Sequence, residues 1–413
     1  MGIITNLFFL LYTLLIKLSQ VYIWIGSIFS AKLSLLHSGR KETFQLLNSI
    51  QNVTRKKIWI HCASLGEFEQ GRPIIEKIKQ DYSDYFIVVS FFSPSGYEIQ
   101  KNYAFADLII YLPSDTPNNA RILIEKIQPT IVIFVKYEFW WNLIRSLIGK
   151  NLPLFLVAGV FRNNDYFFQS FYNPFLTLLR QYKKLLIQDQ QSAEVLAKYG
   201  CTNYEITGDT RIDRVMYKAE TPNVPQSIKD YCHQKTIIVY GSVWSSDMHV
   251  VALTINNFPN YIHILAPHDI SGKNIHQLTS YLKQPYNVIT DSHWQHNILI
   301  INNIGMLNSL YSLAKYVYIG GGFGSGIHNI LEPAAYALPI FIGPKHEKFN
   351  EAISLIELGV AKKVQTPNDM TIEIQKMNKS ESLYSQVSKQ TNKYFETNRG
   401  ATQKTTSIIY PYL

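Results

Sequence analysis

Residues 58–71 read Ile58-Trp-Ile-His-Cys-Ala-Ser-Leu-Gly-Glu-Phe-Glu-Gln-Gly71. The stretch begins as a buried strand and ends as a helix. Between the two lies Ala63-Ser-Leu-Gly-Glu67. In open α/β sheets such a turn sits at the carboxyl end of a strand, where ligands bind. Ser64 and Gly66 leave room for a substrate to come close. Glu67 falls at the helix start, where the dipole favours the ionised carboxylate, as a general base requires. The competing role is a cap that only steadies the turn, worth about 0.3–1 kcal/mol.

The pattern repeats outward from this turn. Strands are expected at Lys57–Cys62, Phe86–Phe92, Leu108–Leu112, Ile131–Lys136, Leu154–Ala158, Leu185–Gln188 and Tyr204–Thr207. Helices are expected at Glu67–Lys79, Phe139–Ile148 and Ser192–Tyr199. Near-continuous apolar strands alternating with helices read as a parallel sheet covered on both faces. Lys218–Gln226, with two prolines in a polar run, reads as a linker. A second series follows, at Thr236–Tyr240, Tyr261–Ala266, Asn287–Thr290, Ile298–Asn302, Tyr316–Gly320 and Pro339–Ile342. The α/β chain of 413 residues is therefore expected to hold two Rossmann-like domains, facing each other across a cleft. Residues 51–217 form the first and 227–395 the second. Residues 396–413 are a C-terminal segment, and 1–50 an anchor with a basic juxtamembrane stretch.

The N-terminus sets that last boundary. Ile3–Ile16 carries no charge, and after Lys17 the apolar run resumes at Val21–Phe29. A spanning helix needs roughly 20 such residues. Lys32, Arg40, Lys41, Arg55, Lys56 and Lys57 follow, which places the body of the protein on the cytoplasmic side. The net charge of +9 favours anionic partners, here an anionic membrane surface and phosphorylated substrates. Basic residues are scattered rather than striped with aromatics, which argues against nucleic acid. Three widely spaced cysteines point to buried thiols in a reducing compartment.

The nucleotide-type site is expected at Tyr316-Val-Tyr-Ile-Gly-Gly-Gly-Phe-Gly-Ser-Gly-Ile-His-Asn-Ile-Leu-Glu-Pro333. A strand enters a glycine loop, and Gly321 and Gly322 would let backbone N–H groups approach an anion. His328 and Asn329 are donors, and Glu332 is an acceptor for ribose hydroxyls. Gly241-Ser-Val-Trp-Ser-Ser-Asp247 offers Ser242, or an N-cap at Ser245 or Ser246. His268 follows the next strand and Arg211 precedes the linker. In the first domain Glu138 and Asn142 stand beside large aromatics, and Ser93 lies in a strand-end loop able to hold an anion. No Asp-x-Asp, HExxH or Cys/His cluster is present, so no metal or other cofactor is expected.

Taken together, Ala63–Glu67, Glu138 with Asn142, Gly208-Asp-Thr-Arg-Ile-Asp213, and Gly320–Phe323 with His328-Asn329 and Glu332-Pro333 resemble the 3-deoxy-D-manno-octulosonic acid (Kdo) transferases. The resemblance spans roughly residues 33–360. It implies a membrane-associated, inverting glycosyltransferase of the GT-B fold, moving Kdo from CMP-Kdo to a lipid A precursor at the inner face of the bacterial inner membrane. It implies Glu67 as base and Glu138 on the acceptor, together with Asn142, Ser64 and Ser93. Donor contacts fall to His328, Asn329 and Glu332, with Ser242, His268, Arg211, Gly321 and Gly322 nearby. Pro267, Trp141 and Ile327 depart from the family pattern. The alternatives are a GT-B transferase using a UDP-sugar, a UDP-sugar 2-epimerase-like isomerase, or a non-catalytic nucleotide sensor.

Overall fold

Strand β1 (Lys57–Cys62) is buried throughout, and its side chains alternate between two cores. Trp59 enters one core, whereas Ile58, Ile60 and Cys62 enter the other. A period of two with apolar residues on both sides forces cover on both faces. The computed structural model, which describes residues 3–136, 139–168 and 173–413, supplies that cover. Helices Ile3–Gly26 and Ala31–Ser49 bring Phe8, Phe9 and Leu47 to the Trp59 side. Helix Leu65–Asp81 brings Ile74, Ile75 and Ile78 to the other side, joined there by Ile409 of the C-terminal helix Ala401–Ile409.

The remaining strands of this sheet are β2 (Phe86–Phe91), β3 (Leu108–Tyr111), β4 (Pro129–Val135), β5 (Leu154–Gly159), β6 (Lys184–Ile187) and β7 (Tyr204–Ile206). All pair in parallel, in the order β3-β2-β1-β4-β5-β6-β7. The order reverses direction between β1 and β4, the point where open α/β sheets bind ligands. This unit comprises Met1–Asp213 and Arg399–Leu413.

The second unit is Arg214–Asn398. Its strands are β8 (Ile237–Val243), β9 (Ile262–Pro267), β10 (Asn287–Val288), β11 (Ile298–Ile300), β12 (Tyr316–Ile319), β13 (Ile340–Ile342) and β14 (Ala361–Lys363). They form a second parallel sheet, β10-β11-β9-β8-β12-β13-β14, with its reversal between β8 and β12. The fold is the two-domain GT-B type expected. Strand β14 was not expected: it is a three-residue edge strand carrying Lys362 and Lys363, and such charge blunts an edge while masking it as sequence. The expected linker is also shorter. Helix Thr210–Glu220 continues through Lys218, because the chain meets its first proline only at Pro222.

The apolar N-terminal helix is long and apolar enough to cross a membrane, but it is not a free anchor. Phe8 and Phe9 are buried against Trp141, with ring centroids 5.1 and 6.0 Å away. The Tyr12 hydroxyl donates to Asp115 at 2.8 Å, and Thr13 exchanges hydrogen bonds with Asn142. The opposite side leaves Leu10, Leu14, Leu18 and Trp24 exposed. One stripe of the helix therefore belongs to the first core, and the other is an exposed apolar surface of the kind that meets lipid or protein. Burial pushes the Asp115 carboxyl up to about 6, against the hydrogen bonds from Tyr12 and from the Asn142 and Leu143 N–H groups.

Candidate active site

In the first unit the residues converge on the end of β1. Ser64 is the N-cap of helix Leu65–Asp81. Glu67 Oε2 accepts hydrogen bonds from the backbone N–H of Ala63 at 2.5 Å and of Ser64 at 3.1 Å, the reciprocal half of a capping box. Two main-chain donors thus fix the orientation of the carboxylate. The neighbouring turn is tied to it, since the Ser93 N–H donates to the Ala63 carbonyl at 2.8 Å. Ser93 also caps the next helix through Ser95 N–H. Glu138 lies outside the described residues.

Asn142 departs from its expected place. It is buried, and its amide donates to the Asp115 carbonyl and to Thr13 Oγ1. It braces the N-terminal helix instead of facing a ligand, because helix Trp141–Gly149 starts at that position and turns Asn142 inward. On β1 itself, the His61 Nε2 accepts from the Trp140 indole at 2.9 Å while Nδ1 faces Ser90. The indole partner assigns the proton to Nδ1. Arg211, in the same unit, is gripped bidentately by Asp209, at 2.6 Å for the shorter contact.

The second unit gathers its candidates at the β8/β12 reversal. Ser242 sits at φ +53° in the left-handed region, at an irregularity in β8. Such strain persists only where surroundings enforce it, and it clusters at functional sites. Gly320 packs against this turn so closely that a Cβ there would collide with the Ser242 carbonyl oxygen. The glycine loop therefore lies directly on the Ser242 turn.

That loop does not present the open nest of N–H groups expected of Gly321. The Gly321 N–H donates to Asp247 Oδ2 at 2.9 Å, and the Gly324 and Gly326 N–H groups donate back to the Gly321 carbonyl. Gly322 abuts Gly343 backbone, so its missing side chain serves packing. Asp247, fully buried, also accepts from the Trp244 N–H and the Tyr318 hydroxyl. It caps this turn in place of Ser245 or Ser246. The spacing Trp-x-x-Asp carries a legible signal, an acid reaching back three residues.

Three rings stand over the loop. Trp244 stacks on His268 and His268 on His328, each with centroids 4.3 Å apart. The Trp244 indole donates to His328 Nε2 at 2.8 Å. Burial, reinforced by His268, pushes the His328 imidazole down to about 4, so it is neutral at pH 7 with Nδ1 as its donor. Asn329 Oδ1 accepts from the Leu331 N–H, capping the short helix Leu331–Ala334 that carries Glu332. The Glu332 charge helps raise the phenol of Tyr336, behind the larger effect of burial.

These shifts have opposite signs. A neutral buried His328 stabilises the fold above about pH 6.5, and this is lost as pH falls toward 4. Asp115, raised from 3.8, stabilises at low pH and loses that contribution as pH rises toward 6. Melting of His328→Gln should therefore fall less steeply than wild type between pH 6.5 and 4. Coinciding slopes would show that His328 is not held neutral.

A family model described as 3-deoxy-D-manno-octulosonic-acid transferase (kdotransferase) matches residues 38–214. The 3-deoxy-D-manno-octulosonic acid transferase of Haemophilus influenzae is 24% identical over 86% of this chain and 87% of its own length. That of Aquifex aeolicus is 24% identical over 73% and 79% respectively. Among solved structures, a UDP-GlcNAc 2-epimerase from Neisseria meningitidis has a TM-score of 0.62 at 13% identity, covering 86% of this chain and all of that one (100%). At that identity the likeness is one of fold.

Proposed function

We propose that the chain is a 3-deoxy-D-manno-octulosonic acid transferase, a glycosyltransferase that moves Kdo from CMP-Kdo to a lipid A precursor, with inversion and without a metal; the matches to that family support the reading. The observation that carries the reading is Glu67, a carboxylate clamped by two backbone N–H groups at the reversal point of the first sheet. The acceptor hydroxyl gives its proton to Glu67 Oε1 as its oxygen bonds to the anomeric carbon. The bond from that carbon to the CMP phosphate breaks, and its electron pair leaves with CMP.

The donor belongs to the second unit. His328 Nδ1–H and Lys345, whose ammonium already reaches the Gly324 carbonyl at 2.7 Å, supply hydrogen bonding and positive charge for the departing phosphate. Glu332 accepts from the ribose. Glu332→Ala should weaken CMP binding by about 1.5–3 kcal/mol, the worth of a charge-assisted hydrogen bond; unchanged affinity in calorimetry removes Glu332 from the site. Arg211 remains a donor residue in this proposal only if substrate draws it from Asp209. Ser64 and Ser93 line the acceptor approach, and Glu138 keeps the acceptor-binding role that the family resemblance implies. The apolar stripe of helix Ile3–Gly26 lies in the cytoplasmic leaflet of the inner membrane, where each nearby Lys or Arg adds about 1 kcal/mol.

The test is direct. The purified full chain is incubated with CMP-Kdo and a tetraacylated, bisphosphorylated glucosamine disaccharide, and the lipid is weighed by mass spectrometry. A gain of one or more Kdo residues with release of CMP is expected. An unchanged lipid overturns the reading, and transfer from a UDP-sugar in a parallel incubation with the same lipid would favour the UDP-sugar alternative.

A further inference from the structure

Arg40 projects from helix Ala31–Ser49 into the space between the two N-terminal helices and the ends of β2 and β3. It lines a cavity of about 360 Å³ with Ile23, Leu36, Phe92, Ser93 and Trp140, and a second of about 530 Å³ with Trp24, His37 and Lys41. One guanidinium nitrogen donates to Ser114 Oγ at 2.9 Å, and the group lies over the Phe92 ring, 4.9 Å from its centroid. Its Nε is buried and makes no hydrogen bond. Among the described residues no carboxylate forms an ion pair with it. Asp115 lines the same cavity, but its oxygens are taken by Tyr12, Asn142 and Leu143.

A guanidinium removed from water without a counter-ion is costly, and natural proteins pair such groups or use them. Burial holds Arg40 down to about 10, so it stays cationic at neutral pH. The missing partner is an anion of bidentate shape, for which a phosphate fits the guanidinium fork. The walls around it are apolar, and they run into the exposed apolar stripe of helix Ile3–Gly26. The occupant must therefore carry both an anionic head and hydrocarbon. On the other side, Phe92 leads to Ser93, which is tied to the Glu67 turn.

Building on the function proposed above, we propose that this cavity is the head-group subsite of the lipid acceptor, with Arg40 binding a phosphate monoester of that lipid while its acyl chains follow the outer face of helix Ile3–Gly26. The subsite sets which lipid is accepted and holds it beside Glu67.

Trp24 and Trp140 make the occupancy measurable, since both line the cavities. The full chain is placed in phosphatidylcholine nanodiscs with the same glucosamine disaccharide, its acyl chains brominated to quench nearby indoles. One sample is bisphosphorylated and the other dephosphorylated. Wild type should reach half-maximal quenching at a mole fraction at least tenfold lower with the phosphorylated lipid. Arg40→Gln should lose that preference, and Arg40→Lys should keep part of it. Equal quenching of wild type by the two lipids overturns the proposal, whether or not Arg40→Gln folds. So does a full preference in a well-folded Arg40→Gln. Kdo transfer measured on the same samples separates the two readings. Phosphate-dependent quenching without transfer keeps the subsite and removes the acceptor assignment. Transfer with phosphate-blind quenching removes the subsite and keeps the transferase.

Discussion

Glu67→Gln is expected to lower turnover by about 10²–10⁴-fold under saturating donor and acceptor, the range for loss of a general base. The substitution is a sharp one because of the clamp. The amide carbonyl of glutamine still accepts from the Ala63 and Ser64 N–H groups, so the turn and the N-terminus of helix Leu65–Asp81 persist. The capacity to take a proton is removed, along with a charge worth only about 0.3–1 kcal/mol at the helix N-terminus. A cap with no chemical role predicts a different result, a stability change of about 0.3–1 kcal/mol and near-normal turnover. The discriminating data are turnover and melting on one preparation, with CMP-Kdo affinity measured beside them. Turnover within a few-fold of wild type assigns Glu67 to the turn alone. A reaction lost together with the fold would point the same way.

The second large effect is expected at Asp247, which no motif singled out as functional. Asp247→Ala leaves the Gly321 N–H, the Trp244 N–H and the Tyr318 hydroxyl without their acceptor in a fully buried place. An unsatisfied buried donor costs about 1–3 kcal/mol, so a loss of about 3–5 kcal/mol is expected, some 10 °C in melting temperature for a unit of this size. CMP binding should fail with it, because the same carboxylate joins the glycine loop to the turn carrying Ser242 and Trp244. Asp247→Asn keeps one carbonyl oxygen and should fall between the two. A melting temperature within about 2 °C of wild type, the worth of a single exposed contact, with normal CMP affinity would show that the loop holds its shape without this link.

Both sheets were legible in the sequence because their evidence is local. A run such as Ile58–Cys62 followed by a helical period is sufficient to place a buried parallel strand and its crossover. The small edge strand β14 was missed because three residues, two of them lysine, carry no period. The Glu67 turn and the Gly320 loop were likewise readable from spacing, each falling at the end of a strand.

What spacing leaves open is where a polar group sends its hydrogen bonds. Asn142 looked like a ligand contact beside aromatics, yet those aromatics belong to a core shared with a helix 129 residues earlier in the chain. Gly321 looked like an anion donor, yet its N–H is taken by a carboxylate 74 residues away. Arg40 read as one charge among several beside a membrane segment, and only the packing of helix Ala31–Ser49 on β3 turns it inward, where Gly39 fits against the Tyr111 ring. The sequence by itself determined the α/β class, the two domains, the apolar N-terminal segment and the strand-end turns, because short-range periodicity and turn chemistry specify these. Only the tertiary structure decided which buried polar groups are satisfied within the protein and which are left facing a cavity, because a buried donor or charge takes whatever partner long-range packing brings to it.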